Sequence, residues 1–258
     1  MDNRKDAAYL IDDPGLLAIP TWNMSREKWL ELRRTGIGGS DIAAIMGKSP
    51  WATPRAVYRD KAGLRTEKKP TAAMERGREM EPVLRGMTEE KLNSSFSAGP
   101  QFRVLSSPFM YRKVGQEIFI ADIDGVVLFG REEELWSGLE IKAVNVYATK
   151  AWRDGEPYHY HLQVKWYMGI TKMRRWLMAS LLGNRLELRV VEFNEELWND
   201  QQQAALGFWN IYVLPRRCPR SIPRKKSSAA PARWGNSYSN RGKLIPCQAV
   251  SYGVEEIW

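Results

Sequence analysis

Two apolar runs, whose acids Asp124 and Glu140 stand sixteen positions apart, each carry charge where a strand would normally hide none. The first, Ile118-Phe119-Ile120-Ala121-Asp122-Ile123-Asp124-Gly125, closes on an acid; the second, Gly138-Leu139-Glu140-Ile141-Lys142, holds an acid and a base one residue apart. Alternate residues of a strand face the same way, so Glu140 and Lys142 project together, and pairing of the two runs brings Asp124 to them. Charges in a half-buried strand are costly unless paired or ligating. Two carboxylates and an ammonium at one sheet end suit a divalent cation, an activated water and a phosphodiester, the chemistry of a metal-dependent nuclease. Glu-x-Lys by itself carries little, since it recurs at Glu67-Lys68-Lys69 and Glu89-Glu90-Lys91 in charged, solvated surroundings. The apolar neighbours Leu139, Ile141, Ala143 and Val144 set the Glu140 pair apart.

A nucleic-acid substrate agrees with a net charge of +9, although residues 216–258 hold nine Lys or Arg against two Glu, so +7 lies there and the rest keeps +2. Any phosphate-binding surface on the body must therefore be arranged locally. Cys218 and Cys247 support neither a disulfide framework nor a cysteine-held metal. No apolar run approaches the ~20 residues that span a bilayer and no signal-peptide pattern opens the chain, so a cytoplasmic, membrane-free protein is expected.

Residues 1–20 read as a flexible lead, 21–215 as the main domain and 216–258 as a basic, Pro- and Ser-rich mobile tail. Helices are expected after Ser25 to Arg34, over Ile42–Met46, from Pro54 to Gly63, from Thr71 to Leu92, over Tyr158–Gly169 and over Glu195–Tyr212. Strands are expected at Gln101–Leu105, Phe109–Arg112, Glu117–Ala121, Gly125–Phe129 and Leu139–Val144, with a hairpin of Arg174–Leu182 and Leu186–Phe193 around Gly183-Asn184. Helices, then a mainly sequential sheet, then helices upon it make a mixed α/β domain.

Three further constellations bear on chemistry. In Thr35-Gly36-Ile37-Gly38-Gly39-Ser40-Asp41, a glycine-rich turn runs into a helix; Ser40 either merely caps that helix or, with Arg33 or Arg34, helps form a phosphate pocket. Glu75, Glu79 and Glu81 crowd one helix as a solvated face would. Glu81 differs because Pro82-Val83-Leu84 follow it and imply packing, leaving its carboxylate available to a metal held by Asp124 and Glu140. In Tyr158–Tyr167, Gln163 and Tyr167 share a helical face, whereas His159 and His161 do not, which argues against a two-histidine clamp. An aromatic packing helix accounts for that segment equally.

Together these pieces resemble the lambda-exonuclease-type (YqaJ-like viral recombinase) family of phage nucleases in the PD-(D/E)xK superfamily. The resemblance runs from Trp29 to Phe193 through Trp29-Leu30-Glu31-Leu32-Arg33, Ile37-Gly38-Gly39-Ser40-Asp41, Ser49-Pro50-Trp51, Gly77 with Glu81, Asp124-Gly125, Glu140-Ile141-Lys142 and Gln163 with Tyr167. It implies a restriction-endonuclease-like core: a central mixed β-sheet flanked by helices. It implies Mg²⁺ or Mn²⁺ held by Glu81, Asp124, Glu140 and the Ile141 carbonyl, with Lys142 orienting or deprotonating the attacking water. Arg33 and Ser40 resemble the pocket for a 5′-phosphate, with Arg34 the neighbouring choice, and Gln163 and Tyr167 resemble the Gln-x-x-x-Tyr motif of RecB-type nucleases. Asp122 stands where a Ser of that family helps bind phosphate; an acid there repels phosphate and fits a metal contact instead. Lys165 replaces a second polar residue of the helix and is expected to take a phosphate contact.

By the same resemblance the activity is 5′-to-3′ exonucleolysis of double-stranded DNA ends in a phage or prophage recombination system. The 3′ single strands go to an annealing protein, and the assembly is a ring-shaped homotrimer. The rivals are a site-specific endonuclease on the same core and a non-catalytic DNA-binding module; the intact Asp124, Glu140 and Lys142 speak against the latter.

Overall fold

The computed structural model describes residues 8–65, 69–94, 101–220 and 243–244. Four helices come early, each started by local chemistry. Ser25 caps α1 (Arg26–Arg34) through the Lys28 amide, 3.4 Å away. Helix α2 (Gly39–Ile45) starts earlier than expected because the Asp41 carboxylate turns back to accept from the Gly38 amide at 3.0 Å. Thr53 caps α3 (Pro54–Lys61) and Thr71 caps α4 (Ala72–Asn93). Pro82 lies inside α4 on an exposed face, where its missing N–H costs one helical hydrogen bond without burying the orphaned carbonyl. Beside it Leu84 is fully buried, as the expected packing requires, while Val83 faces outward.

The strands form two sheets rather than one. β1 (Leu16–Pro20), β3 (Phe109–Lys113) and β4 (Gln116–Asp122) make a small antiparallel sheet. The larger, mixed sheet has the order β2 (Phe102–Leu105), β5 (Gly125–Phe129), β6 (Glu134–Val144), β7 (Arg175–Leu182), β8 (Arg185–Glu192), β9 (Lys243–Leu244), with β6 and β7 parallel and the other pairs antiparallel. Two expectations are corrected here. The lead over 1–20 instead contributes β1, which pairs Leu16–Pro20 with Phe109–Lys113, and Ile11 is buried with its amide on the Tyr111 hydroxyl at 3.1 Å. The free edge of β3 offers unpaired backbone groups that this apolar segment satisfies, and Pro20 sits at the strand's end, where its lost donor matters least. Second, the apolar run before Asp124 does not pair with the Glu140 run. It belongs to β4 in the small sheet, and the chain changes sheets at Ile123-Asp124. Most of the tail lies outside the described residues.

Helix α5 (Tyr158–Thr171) is buried over nearly its whole second half, between the two sheets and the later helix α6 (Glu195–Phe208). Trp166 lies edge-on to Phe119 of β4 at 4.8 Å and donates from Nε1 to the Ile120 carbonyl at 3.0 Å. Tyr167 meets Trp176 of β7 on the other side. Burying side chains of this size contributes about 1.5–3 kcal/mol each, so α5 is the pin that fixes the small sheet against the large one. Helix α4 covers the opposite face of the large sheet, with Leu84 and Leu92 against Val127, Leu139, Ile141 and Leu177. Along β6 this splits the alternation: Leu139 and Ile141 enter the α4 core, and Glu140 is turned toward α5. The helix expected over Glu195–Tyr212 ends at Phe208 and widens into a looser turn through Val213.

Candidate active site

Antiparallel pairing of β5 with β6 sets Gly125 opposite Leu139, so Asp124, one residue before that pair, arrives beside Glu140. Its Oδ2 accepts from the Ile141 amide at 2.7 Å. β5 begins at Gly125, so this edge of Ile141 has no strand partner there, and strand geometry sets its carbonyl on the same edge as its amide. Lys142 Nζ donates to Glu140 Oε1, as the alternation of the strand predicts. Gln163 Nε2 donates to the same oxygen at 2.6 Å and to the Tyr167 hydroxyl at 3.2 Å, so the Gln-x-x-x-Tyr face of α5 closes over Glu140. The second oxygen, Oε2, is buried without a partner on a side chain only 1% exposed.

Charge accounts for the site's character. Burial, then the repulsion of Asp124, pushes the Glu140 carboxyl up to about 8 against the pull of Lys142. Glu81, reaching in from α4, rises to about 7 for the same two reasons, and burial raises Asp124 as well. Burial alone lowers an ammonium, yet Glu140 and Asp124 more than reverse this and hold Lys142 firmly protonated. Three carboxylates thus share one lysine, with Arg85 donating to the Asp124 carbonyl at 3.3 Å. The deficit is of positive charge, and the unpartnered Glu140 oxygen is where an oxygen-seeking cation fits. As they stand, no three His, Cys, Asp or Glu side chains among the described residues are grouped to hold a metal ion, and Glu140 Oε1 accepts from Lys142 and Gln163.

The glycine-rich turn lies against this cluster. Arg33, in the last turn of α1, donates from Nη2 to Ser40 Oγ at 2.9 Å and lies over the Trp29 ring at 5.1 Å. Arg34 turns the other way, toward Asp60 at 3.8 Å, so of the two neighbouring arginines Arg33 is the one at Ser40. A Cβ on Gly39 would fall 2.7 Å from Gln163 and 2.8 Å from the Tyr167 ring, so glycine lets α2 touch the Gln-x-x-x-Tyr face. Asp122 links the two halves: burial raises it to about 6, Arg33 lowers it, Asp124 raises it, and Trp29 donates to it. Helix α2 has seven residues, so the positive charge of this pocket comes from the Arg33 guanidinium rather than from a helix end.

Lys165, expected to take a phosphate contact, lies apart from the other candidates. It is 1% exposed, lies across α5 from Gln163, and its ammonium is lowered to about 8 by burial despite Glu156 and Glu192. Four contributors were missed. Arg85 was legible as the residue four after Glu81. Tyr160, whose ring receives Lys142 Nζ at 4.9 Å, sits in the segment read as an aromatic packing helix, and Trp29, under the Arg33 guanidinium, was noted only within the resemblance. Lys61, on Asp41, gave no signal at all.

The chain matches the YqaJ-like viral recombinase domain over residues 28–174. It is 28% identical over 200 residues to the protein YqaJ of Bacillus subtilis (strain 168), which takes in 76% of this chain but only 59% of that relative's length. Among solved structures it is similar to an alkaline exonuclease (LHK-Exo) from Laribacter hongkongensis. That likeness has a TM-score of 0.56, and 0.59 for LHK-Exo in complex with dAMP; in both the identity is 20%, with 71% of this chain and 91% of that one covered. At that identity the likeness establishes a shared fold, a central mixed sheet flanked by helices, as expected. With more than half of its residues inside the domain match, the chain belongs to the YqaJ-like viral recombinase domain family.

Proposed function

We propose that the protein is a metal-dependent exonuclease that degrades double-stranded DNA from 5′-phosphorylated ends. The observation that carries this is the convergence of Asp124, Glu140 and Lys142, with Glu81 beside them and one buried Glu140 oxygen unpartnered. Glu81, Asp124, Glu140 and the Ile141 carbonyl would hold Mg²⁺ or Mn²⁺. Bound there, such a cation supplies Lewis acidity toward the scissile phosphate and toward a water. Held protonated, Lys142 orients the water and offsets charge on the phosphate rather than removing a proton. Gln163 and Tyr167 fix the Glu140 carboxylate in place. The similar alkaline exonuclease binds dAMP, and a deoxynucleoside monophosphate is what terminal hydrolysis of DNA releases. Family membership supports the wider proposal of 5′-to-3′ resection in phage or prophage recombination, by a homotrimeric ring that leaves 3′ strands to an annealing protein. Among the described residues no helix is long and apolar enough to cross a membrane.

Linear and closed circular duplexes incubated with Mg²⁺ test the activity. Loss of the linear form alone is expected; equal attack on the circle would make the protein an endonuclease. Arg33→Ala should erase the preference for a 5′-phosphate over a 5′-hydroxyl end, because a bidentate guanidinium rewards the terminal dianion. Arg34→Ala should keep it. Initial rates on the two ends decide between them.

The raised carboxylates give a pH prediction. A folded-state value above the ordinary one means the group's contribution is present below about 4.5, the ordinary glutamate value, and lost as pH rises through about 8 for Glu140 and about 7 for Glu81. Metal-free protein should therefore lose stability between about pH 5 and pH 8 relative to Glu140→Gln. Mg²⁺ should reverse this, by about 2.7 kcal/mol at a hundredfold excess over its Kd. Thermal unfolding in EDTA and in Mg²⁺ across that range checks both, and a Tm that Mg²⁺ leaves unmoved at pH 8 speaks against the cation site.

A further inference from the structure

Lys61 closes α3 with its side chain wholly removed from solvent, an expensive place for an ammonium. Its Nζ donates to the Arg33 carbonyl at 2.9 Å and lies 2.7 Å from Asp41 Oδ2 and 3.9 Å from Asp60. Asp41 follows Ser40 directly, caps the Gly38 amide, and stands 3.9 Å from Arg33 Nη2. Burial favours a protonated Asp41, yet Lys61 and then Arg33 hold it below the usual carboxylate range, so it is a full charge. Arg33 therefore feels three acids, Asp41 first, then Asp122 and more weakly Asp60. An uncompensated Asp41 would draw the guanidinium into a buried ion pair and repel an incoming phosphate. The distances show the opposite outcome: Asp41 is closest to Lys61, and Arg33 spends its donor on Ser40.

On the strength of the 5′-phosphate pocket put forward above, we infer that Lys61 is a positioning residue that neutralises Asp41 and tethers the Arg33 backbone, leaving the Arg33 guanidinium free for the terminal phosphate. Lys61 touches neither DNA nor the reacting atoms. Its effect is on the KM for a phosphorylated end, and it depends on Asp41 being charged.

The test compares wild type, Lys61→Met, Asp41→Asn and the double variant, each as the full chain with Mg²⁺. The substrates are linear duplexes differing only in a 5′-phosphate or 5′-hydroxyl, with kcat and KM measured separately. Lys61→Met should lose at least about tenfold of the KM preference for the phosphate, about 1.4 kcal/mol, with kcat changed less than about twofold. The double variant, lacking the charge that Lys61 cancels, should regain most of it. A residue serving only the fold would lower Tm in both and leave the preference unmoved. An undiminished preference in Lys61→Met, or a double variant no better than the single, overturns the inference and leaves the pocket standing. Equal rates on both ends in wild type overturn the pocket and this role together. If Lys61→Met is insoluble, the double variant must match Asp41→Asn in preference; a lower value overturns the role.

Discussion

Glu140→Ala and Asp124→Ala should each hydrolyse linear duplex DNA at no more than about a thousandth of the wild-type rate, a barrier increase of about 4 kcal/mol. Both carboxylates stand at the charge-deficient centre of the site. Asp124 does two things at once, since its Oδ2 also holds the Ile141 amide. Asp124→Asn separates them: the amide oxygen can still accept from Ile141, so an equally inactive Asn variant assigns the loss to charge rather than to a displaced strand edge. Lys142→Ala should be nearly as slow while still taking up metal, because it removes the cation that offsets phosphate charge without removing a ligand. Duplex binding in Ca²⁺ should survive in all of them. Retention of more than about a tenth of the wild-type rate in either alanine variant, a barrier change of only ~1.4 kcal/mol, would sink the site.

The second large effect is structural. Gly138→Val should destabilise the protein by about 3 kcal/mol or more, enough to leave it insoluble or unfolded at ordinary temperature. A Cβ at Gly138 would lie 2.4 Å from the ring of Trp176, its partner across the parallel β6–β7 pair. Trp176 is completely buried and lies against Tyr167, so the ring has nowhere to go and the strands must separate just ahead of Glu140. Gly86→Ala is the control: that glycine lies within α4 with nothing near its would-be Cβ, and alanine there should add about 0.5–1 kcal/mol. Denaturant unfolding of the two variants beside wild type makes the comparison. A soluble Gly138→Val of wild-type stability would mean the β6–β7 packing is looser than the structure has it.

Much of the helical framework was legible because it is written locally. Ser25, Thr53 and Thr71 each cap the helix their spacing announced, and the i, i+4 relation of Gln163 and Tyr167 survives as one continuous contact with Glu140. The two-sheet arrangement was not legible. Whether an apolar run such as Ile118–Ala121 joins one sheet or another depends on which distant edge is free, and alternation along a strand looks the same in either case. The burial of Lys165 was hidden for a related reason: a helix buried nearly all round its second half carries little amphipathic signal to say which polar residue faces outward.

What the sequence determined by itself is the set of residues able to do chemistry. Glu140 and Lys142 share a face because strand geometry has a period of two, whatever surrounds them. Only the tertiary structure decided which groups join that pair, and how. Asp124 reaches it through Gly125 opposite Leu139 and not through its own apolar run. Arg33 rather than Arg34 meets Ser40, because neighbours on a helix point about 100° apart and only packing chooses between them. Lys61, twenty residues beyond Asp41, arrives at it by the packing of α3 on α2. Backbone periodicity is a local property that a sequence carries openly; the neutralisation of one buried charge by another is a property of position in space, and it exists only once the chain has folded.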